Sequence, residues 1–315
     1  MHYDFDVVIA APNAAIDSIY VLSRFQLGEV NRATTVIHTA GGKGNNTARA
    51  ANSLGGRVLS LGVVGGTAGA FINQELQREG IAADFAWVTT EARRCNTILV
   101  EGQSYTTVIL EPGWAVGEQA QQDLREKIIH YAESAPYLIL TGSVPADFPP
   151  SYYATLIRQI GGRCKVALDC SGDALKLGVE AGPSIVKVNQ AEFQAAFRLD
   201  QWDWREVAQR FQEFQGKGVE LLIITVGARG AYVFSPGNVT FRVATEVDAI
   251  VSTAGAGDTF MAGLVLSLVK SNTIEDAARY ASAAAAANLC QTICGKVELD
   301  DMKSYLAKTA IERLS

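Results

Sequence analysis

The sequence predicts an α/β protein with a mainly parallel central sheet flanked by helices and a small β-sheet lid. Short apolar runs alternate with amphipathic helical patterns, which is typical of a parallel sheet covered on both faces. Hydrophobic residues make up 48% of the 315 positions, so a sizeable core can form. No linker rich in proline, glycine or serine divides the chain, and we expect one domain spanning residues 1–315.

The elements of the central layer follow from these patterns in chain order. Apolar, β-branched runs predict strands at residues 6–11, 58–63, 137–141, 165–169, 185–188, 221–226 and 231–234. Helical periodicity predicts helices near residues 44–55, 67–79, 117–133, 149–160, 190–197 and 204–216. After residue 258 the alanine-rich chain is expected to be mainly helical to its end.

Two segments in the first third of the chain break this alternation. Residues 18–40 have a strand pattern with little helical character, and residues 94–111 have the pattern of a hairpin with a turn at 101–104. We expect these insertions to form the small lid sheet, which would keep water out of a reaction site. The alternative is that both are ordinary edge strands.

Composition limits the function classes. A net charge of −6 with 19% charged residues favours neither nucleic acid nor a membrane surface as a partner. The five cysteines are scattered without a CxxC pair, which argues against a disulfide framework or a zinc site. The first residues lack the pattern of a signal peptide, and we expect a cytoplasmic protein.

The most informative segment is a glycine-rich run that precedes an apolar helical pattern at residues 252–260. Gly255, Ala256 and Gly257 leave backbone N–H groups unobstructed at a predicted helix N-terminus, which suits a phosphate. Asp258 follows and could take a proton from a hydroxyl group. An anion site beside a base suits phosphoryl transfer. The alternative is that Asp258 only caps the helix.

A second glycine-rich segment begins at Gly41 and offers groups suited to a sugar. Gly42 allows a ligand to approach the backbone, Lys43 adds a positive charge, and Asn46 can hold hydroxyl groups. Asp17 follows the first predicted strand, near the edge where ligands of parallel sheets bind. The segment does not have the spacing of a Walker A loop.

Together and in this order, the motifs resemble the ribokinase-like (PfkB-type) carbohydrate kinases over nearly the whole chain. The segments that carry the resemblance are residues 13–17, 28–32, 41–46, 141–145, 167–169, 187–192, 225–230 and 255–258. Residues 28–32, an arginine entering the hairpin and residues 111–113 after it are similar to the branch of 1-phosphofructokinases and tagatose-6-phosphate kinases. The resemblance implies a ribokinase-like fold.

The resemblance also implies roles at the reaction centre. Asp258 matches the base that takes the proton from the attacking sugar hydroxyl. The N–H groups of Gly255, Ala256 and Gly257 match the anion hole around the transferred phosphoryl group.

The acceptor site is implied in the same way. The matching positions are Asp17, Gly41, Gly42, Lys43 and Asn46. Members of this branch phosphorylate sugars that already carry a phosphate, and Lys43 with an arginine can pair with that group. Arg32 is one such arginine. The doublet Arg93-Arg94 supplies another, and similarity to the branch favours Arg93. The alternative is that both arginines of the doublet are solvated edge charges.

The cofactors implied by the resemblance are ATP and Mg²⁺. The positions that match the nucleotide site are Lys187, Asn189, Glu192, Thr225, Gly227, Gly230 and Asn288. Glu192 matches the residue that organises the metal through water. The alternative for Asn189 and Glu192 is a simple capping pattern at the start of the next helix.

The expected function is ATP-dependent phosphorylation of a hydroxyl group on fructose 1-phosphate, tagatose 6-phosphate or fructose 6-phosphate, with Asp258 as general base. Two alternatives stay open: a kinase of an unphosphorylated sugar or nucleoside, and a catalytically idle sensor of sugar phosphates on the same fold. The expected partners are the sugar phosphate and ATP. A homodimer through the edges of the lid sheet is compatible with the sequence but is not required by it.

Overall fold

The computed structural model describes residues 3–103 and 106–314. The strands in this part of the chain are β1 (Val7–Ala11), β2 (Ala15–Leu22), β3 (Thr35–Gly41), β4 (Val58–Gly65), β5 (Ala82–Val88), β6 (Arg93–Val100), β7 (Thr106–Leu110), β8 (Tyr137–Thr141), β9 (Lys165–Asp169), β10 (Ile185–Asn189), β11 (Leu221–Thr225), β12 (Ala231–Ser235), β13 (Val239–Thr245) and β14 (Thr309–Leu314). The α-helices are α1 (Lys43–Ser53), α2 (Gly66–Arg78), α3 (Glu118–Tyr131), α4 (Tyr152–Ile160), α5 (Gly172–Glu180), α6 (Gln190–Phe197), α7 (Trp204–Gln215), α8 (Ala256–Val269), α9 (Ile274–Leu289) and α10 (Leu299–Ala307).

Ten strands form the central sheet, in the order β14-β13-β12-β11-β10-β9-β8-β1-β4-β5. The strands from β11 to β5 in this order run parallel, and β12, β13 and β14 add an antiparallel edge. Every residue of β1, β4 and β8 is buried. These strands appear in the sequence as continuous apolar runs because helices cover both faces of the sheet.

The covering helices create two hydrophobic cores. Helices α1, α2, α8, α9 and α10 pack on one face, and helices α3 to α7 pack on the other. The alanines of α9 allow it to approach α8 closely, since a Cβ on Gly263 would lie 3.1 Å from the Cα of Ala281. Within the described residues, no helix has both the length and the apolar character that a membrane span requires.

The predicted lid is a separate sheet of four strands, in the order β3-β2-β6-β7. Strand β2 pairs antiparallel with β3 and parallel with β6, and this register puts Asp17 beside Cys95. The predicted turn at 101–104 and the second hairpin strand extend into residues 104 and 105, which lie outside the described residues.

The chain after residue 258 is mainly helical, as expected, but its last segment is a strand. Strand β14 closes the antiparallel edge of the central sheet by pairing with β13, where Arg242 lies opposite Glu312. Most side chains of β14 point away from the core, so its sequence lacks the apolar pattern by which buried strands are recognised. Strands β5 and β13 and helix α5 were also absent from the predicted elements.

Candidate active site

The carboxyl ends of three neighbouring strands put polar side chains along one edge of the central sheet. Asp169, Asn189 and Thr225 are the last residues of β9, β10 and β11, which lie side by side. Lys43, the first residue of α1, donates a hydrogen bond to Asp169. The second glycine-rich segment therefore reaches the same edge, as expected for ligand sites of parallel sheets.

The glycine-rich loop before α8 has the geometry of an anion site. Gly255 has a φ of +81°, and a Cβ there would lie 2.9 Å from the backbone nitrogen of Gly295. Both the backbone conformation and the close packing therefore require glycine. The first N–H groups of α8 receive no side-chain cap and have no acceptor within the helix, so they are available to an anion.

Asp258 lies in the first turn of α8 as a buried carboxylate without a partner. Its side chain does not cap the helix, and it accepts no hydrogen bond from any residue that the structure describes. Burial raises the pKa of Asp258 to about 7, and the positive charges of Lys43 and Lys187 only partly oppose this. A carboxylate with a pKa near neutrality suits a general base.

Asp169 holds two lysines through one buried carboxylate. Lys43 Nζ lies 2.9 Å from Asp169 Oδ1, and Lys187 Nζ lies 2.7 Å from Oδ2. Burial alone would raise the pKa of Asp169, but the two ammonium groups hold it below its ordinary value. Sequence reasoning did not assign this residue a role, because a carboxylate at a strand end carries no signal of its partners.

The ammonium group of Lys187 also lies next to the glycine-rich loop at residues 255–257, which we call the anion-binding loop. A Cβ on Gly257 would be 3.1 Å from Lys187 Nζ. Since Lys187 is nearly inaccessible to solvent, its charge acts on this loop with little screening.

A cavity of about 1050 Å³ opens beside this loop and is large enough for a nucleotide. Its polar lining includes six of the seven residues predicted for the nucleotide, namely Lys187, Asn189, Glu192, Thr225, Gly227 and Gly230. Gly255, Ala256, Gly257, Asp258 and Lys43 line it as well. Ile250, Ala286 and Leu289 provide an apolar part that suits a base.

Asn288 is the predicted nucleotide residue that is not part of this lining. Its amide nitrogen donates to the carbonyl oxygens of Ile293 and Lys296 at 3.3 and 3.1 Å, and the residue is buried. Asn288 therefore shapes the loop after α9, while its neighbours on that helix reach the cavity.

Asn189 and Glu192 form a capping box and still contribute to the cavity. Asn189 Oδ1 accepts the N–H of Glu192 at 2.8 Å, and Glu192 Oε2 accepts the N–H of Asn189 at 3.0 Å. Glu192 Oε1 lies 3.9 Å from Lys43 Nζ. Oε1 therefore faces Lys43 and is the carboxylate oxygen of Glu192 that could hold a cation through water. Among the described residues, no group of three histidine, cysteine, aspartate or glutamate side chains occurs that could hold a metal ion.

The predicted sugar residues meet at the junction of the lid and the central sheet. Asn46 Nδ2 donates to Asp17 Oδ2 at 3.3 Å. A Cβ on Gly41 would lie 2.0 Å from Asp17 Cγ, so only glycine allows this approach. Cys95 also faces Asp17, and burial raises the pKa of its thiol to about 12, so the thiol stays protonated and can donate to that carboxylate. Sequence reasoning missed Cys95, because its contact with Asp17 depends on the pairing of two strands that are distant in the sequence.

The three candidate arginines have different surroundings. Arg93 is half-buried, its Nη1 and Nη2 are 3.5 Å from the carbonyl oxygens of Glu111 and Asn13, and no described carboxylate is within ion-pair distance. Arg94 is exposed on the other face of β6. Arg32 is exposed in the loop at the far end of the β2–β3 pair from Asp17, so the structure does not bring it to the sugar residues.

Solved structures of carbohydrate kinases have the same fold. Phosphofructokinase-2 of Escherichia coli in complex with fructose-6-phosphate matches with a TM-score of 0.87 and 24% identity, over 96% of this chain and 98% of that one. A Thermotoga maritima protein described as a possible 1-phosphofructokinase matches with a TM-score of 0.86 and 20% identity, over 98% and 100%. Arabidopsis thaliana ribokinase complexed with ribose and ATP matches with a TM-score of 0.76 and 20% identity, over 97% and 99%.

These similarities show that the fold of the chain is ribokinase-like. The sequence pattern of the pfkB family carbohydrate kinases matches residues 10–300, and the chain belongs to that family. The predictions of a ribokinase-like fold, a mainly parallel central sheet and a small separate sheet are confirmed.

The buried Asp258 carboxylate predicts a pH-dependent gain in stability for Asp258→Asn. Its folded-state pKa, about 7, lies above the ordinary value of 3.8, so its stabilising contribution is complete below 3.8 and is lost as the pH rises through 7. We expect this variant to raise the free energy of unfolding by roughly 2 to 4 kcal/mol at pH 8 and by less at pH 5. Denaturant unfolding at both pH values measures this, with the exposed Asp200→Asn as control. An equal change at both pH values would contradict the burial argument.

Proposed function

We propose that the protein transfers the terminal phosphoryl group of ATP to a free hydroxyl of a sugar that already carries a phosphate. The observation that carries the proposal is the unpartnered carboxylate of Asp258 beside a helix N-terminus with free N–H groups. A base and an anion hole in one helical turn are what phosphoryl transfer to a hydroxyl requires.

ATP fits the large cavity with its base at the apolar part and its phosphates toward Gly255. The base would pack near Ile250 and Leu289, and the phosphates would extend past Thr225 and Gly227. Glu192 would hold Mg²⁺ through water, and the metal would offset the negative charge of the triphosphate when bound. The other charges available to the phosphates are Lys187 and Lys43.

In the proposed reaction the residues of this chain position charge and take up one proton. Asp258 accepts the proton of the sugar hydroxyl as the hydroxyl oxygen attacks the γ-phosphorus of ATP. The bond from that phosphorus to the bridging oxygen breaks, and ADP leaves. The N–H groups that follow Gly255 stabilise the charge that develops on the transferred phosphoryl group. Lys187 lies next to this loop. Because its ammonium group is already fixed there, it does not have to move during the step.

A phosphorylated acceptor is supported by Arg93. This guanidinium lies near Asp17, it has no carboxylate partner among the described residues, and its buried Nε atom has no hydrogen-bond partner. A half-buried cation in that state favours an anionic ligand. We therefore propose fructose 1-phosphate, tagatose 6-phosphate or fructose 6-phosphate as acceptor, the last being the ligand of the Escherichia coli neighbour.

Lys43 suits the transferred phosphoryl group better than the phosphate of the sugar. Its ammonium lines the large cavity with Asp258 and Glu192, whereas Arg93 lines a separate, small cavity with Asn13. We propose that Arg93 binds the phosphate of the sugar and that Lys43 faces the phosphoryl group in transit.

A coupled assay of ADP release tests the function with fructose 1-phosphate, tagatose 6-phosphate, fructose 6-phosphate, fructose and ribose as acceptors. We expect a phosphorylated ketose to have a kcat/KM at least about a hundredfold above the neutral sugars, because only its phosphate can form an ion pair with the guanidinium of Arg93. For Asp258→Asn we expect a loss of about 10² to 10⁴ in kcat with unchanged AMP-PNP binding.

The wild-type kcat/KM should rise with pH through about 7 as Asp258 ionises.

Each alternative has its own outcome in this assay. Turnover of fructose or ribose alone would indicate a kinase of unphosphorylated sugars. Tight binding of a sugar phosphate with no turnover would indicate a sensor. Near wild-type kcat in Asp258→Asn would contradict the role of the base.

The adjacent arginines provide a matched pair of variants. We expect Arg93→Ala to raise KM for the sugar phosphate by about tenfold or more, because it removes a half-buried cation from the anion. Arg94→Ala removes an exposed charge on the other face of the same strand and should change KM by less than about twofold. Steady-state kinetics at saturating ATP measure both, and equal effects of the two variants would contradict the assignment.

The proposed place of Lys43 predicts that Lys43→Met mainly lowers kcat. An interaction formed with the phosphoryl group in transit acts on kcat, whereas one formed with the phosphate of the bound sugar acts on KM. We expect kcat to fall by about a hundredfold and KM for the sugar phosphate to change by less than about threefold. A large rise in KM at unchanged kcat would instead assign Lys43 to the phosphate of the sugar.

A further inference from the structure

Arg49 is a buried cation on α1 that takes no part in the proposed reaction. Its side chain is 6% exposed, and its guanidinium donates hydrogen bonds in three directions. Nε and Nη2 bind the two carboxylate oxygens of Glu79 at 2.7 and 2.8 Å. Nη2 also donates to the carbonyl oxygen of Ala40 at 2.6 Å, and Nη1 donates to Asn46 Oδ1 at 3.2 Å and to the carbonyl oxygen of Cys294 at 3.0 Å. The donors of the planar guanidinium are thus fully used.

Two of these contacts hold the segment proposed to bind the sugar. Ala40 directly precedes Gly41 in β3. Because Arg49 occupies the amide oxygen of Asn46, the amide nitrogen of Asn46 is left to face Asp17, to which it donates. Arg49 therefore fixes the orientation of the amide that contacts Asp17.

The third contact holds the backbone behind the anion-binding loop. A Cβ on Gly295 would lie 2.2 Å from the carbonyl oxygen of Asn46, and a Cβ on Gly255 would lie 2.9 Å from the nitrogen of Gly295. The backbone at Cys294 and Gly295, called the wedge below, is thus packed tightly between α1 and the start of α8. The hydrogen bond from Arg49 to the carbonyl oxygen of Cys294 connects this backbone to α1.

We propose that Arg49 is a positioning residue that sets the distance between the sugar-binding segment and the anion-binding loop. The inference rests on the proposed kinase function. The two segments begin α1 and α8, which are far apart in the sequence, so only non-covalent contacts fix their separation. In-line transfer is sensitive to this separation, since a misplacement of about 1 Å can lower the rate about a hundredfold.

The competing explanation is that Arg49 only stabilises the fold through its ion pair with Glu79. Two variants separate these roles. Arg49→Lys keeps a cation for Glu79 but lacks the planar fork that reaches Asn46 and Cys294 at the same time. Glu79→Gln removes the charge of the partner and keeps Arg49 and its contacts to both loops.

The experiment compares thermal unfolding and steady-state kinetics of the two variants, with ATP and the best acceptor of the panel above. For Arg49→Lys we expect a higher KM for the sugar phosphate and a lower kcat, together about ten- to a hundredfold in kcat/KM, and a KM for ATP within about twofold. For Glu79→Gln we expect a lower thermal midpoint with kcat and KM within about twofold of wild type.

A double-mutant cycle tests whether Arg49 acts through Asn46. In an Asn46→Ala background, Arg49→Lys should raise KM for the sugar phosphate by less than it does in the wild-type background. Full additivity in KM would overturn the positioning role at the sugar. Wild-type kinetic constants in folded Arg49→Lys, or equal kinetic losses in Glu79→Gln, would overturn the whole inference.

Gly295→Ala keeps the inference testable if Arg49→Lys does not fold. The substitution changes neither Arg49 nor Glu79, but its Cβ would lie 2.2 Å from the carbonyl oxygen of Asn46, so we expect the same rise in KM and fall in kcat. Unchanged constants in this variant would also overturn the inference. Absence of wild-type turnover with every acceptor would contradict the proposed function instead, because it does not depend on any of these variants.

Discussion

The carboxylate of Asp169 is the constraint on which the rest of the site depends. It is buried at the end of β9 and receives Lys43 from α1 on one oxygen and Lys187 from β10 on the other. One group thereby joins the segment that begins the sugar site to the strand that supports the anion-binding loop. Two ammonium groups and the carboxylates of Asp169 and Asp258 make a cluster that is neutral when Asp258 is ionised. Proton uptake by Asp258 leaves this cluster with one positive charge, next to the position where negative charge develops in the proposed reaction.

The same arrangement explains why Asp258 has a pKa near neutrality. Both lysines contact Asp169, so neither forms an ion pair with Asp258, and burial dominates its ionisation. A direct salt bridge to a lysine would lower the pKa of Asp258 and weaken it as a base. The site therefore keeps the ionisable group of Asp258 in an environment that disfavours its charged form. The folding stability lost in this way is a common cost of groups with shifted pKa values at functional sites.

Sequence reasoning identified the parts of this site that are encoded locally. The loops at Gly41 and Gly255 could be recognised because glycine, a polar group and a helix start follow one another in the chain, and the central strands because burial on both faces makes them continuously apolar. The roles of Asp169 and Cys95 could not be predicted in this way, since each depends on a partner from a distant segment. Arg32 is the converse case. Its motif matches the branch, but the length of the β2–β3 pair keeps it away from Asp17 within the chain.

In the proposed function, the lid sheet combines recognition of the sugar with exclusion of water. Asp17 lies on β2 and Arg93 on the neighbouring β6, so both groups belong to the small sheet, while Asp258 and the anion hole belong to helix α8. An acceptor that binds Asp17 and Arg93 while its free hydroxyl contacts Asp258 would hold the lid against the central domain, whereas water offers neither the anion nor the paired hydroxyl groups. The phosphate of the sugar does not react. Its binding energy can thus be used to close the site around the free hydroxyl, which does react. A phosphorylated acceptor is therefore favoured on grounds of rate as well as affinity, because a neutral sugar would leave the guanidinium of Arg93 without an anion and the lid less firmly held.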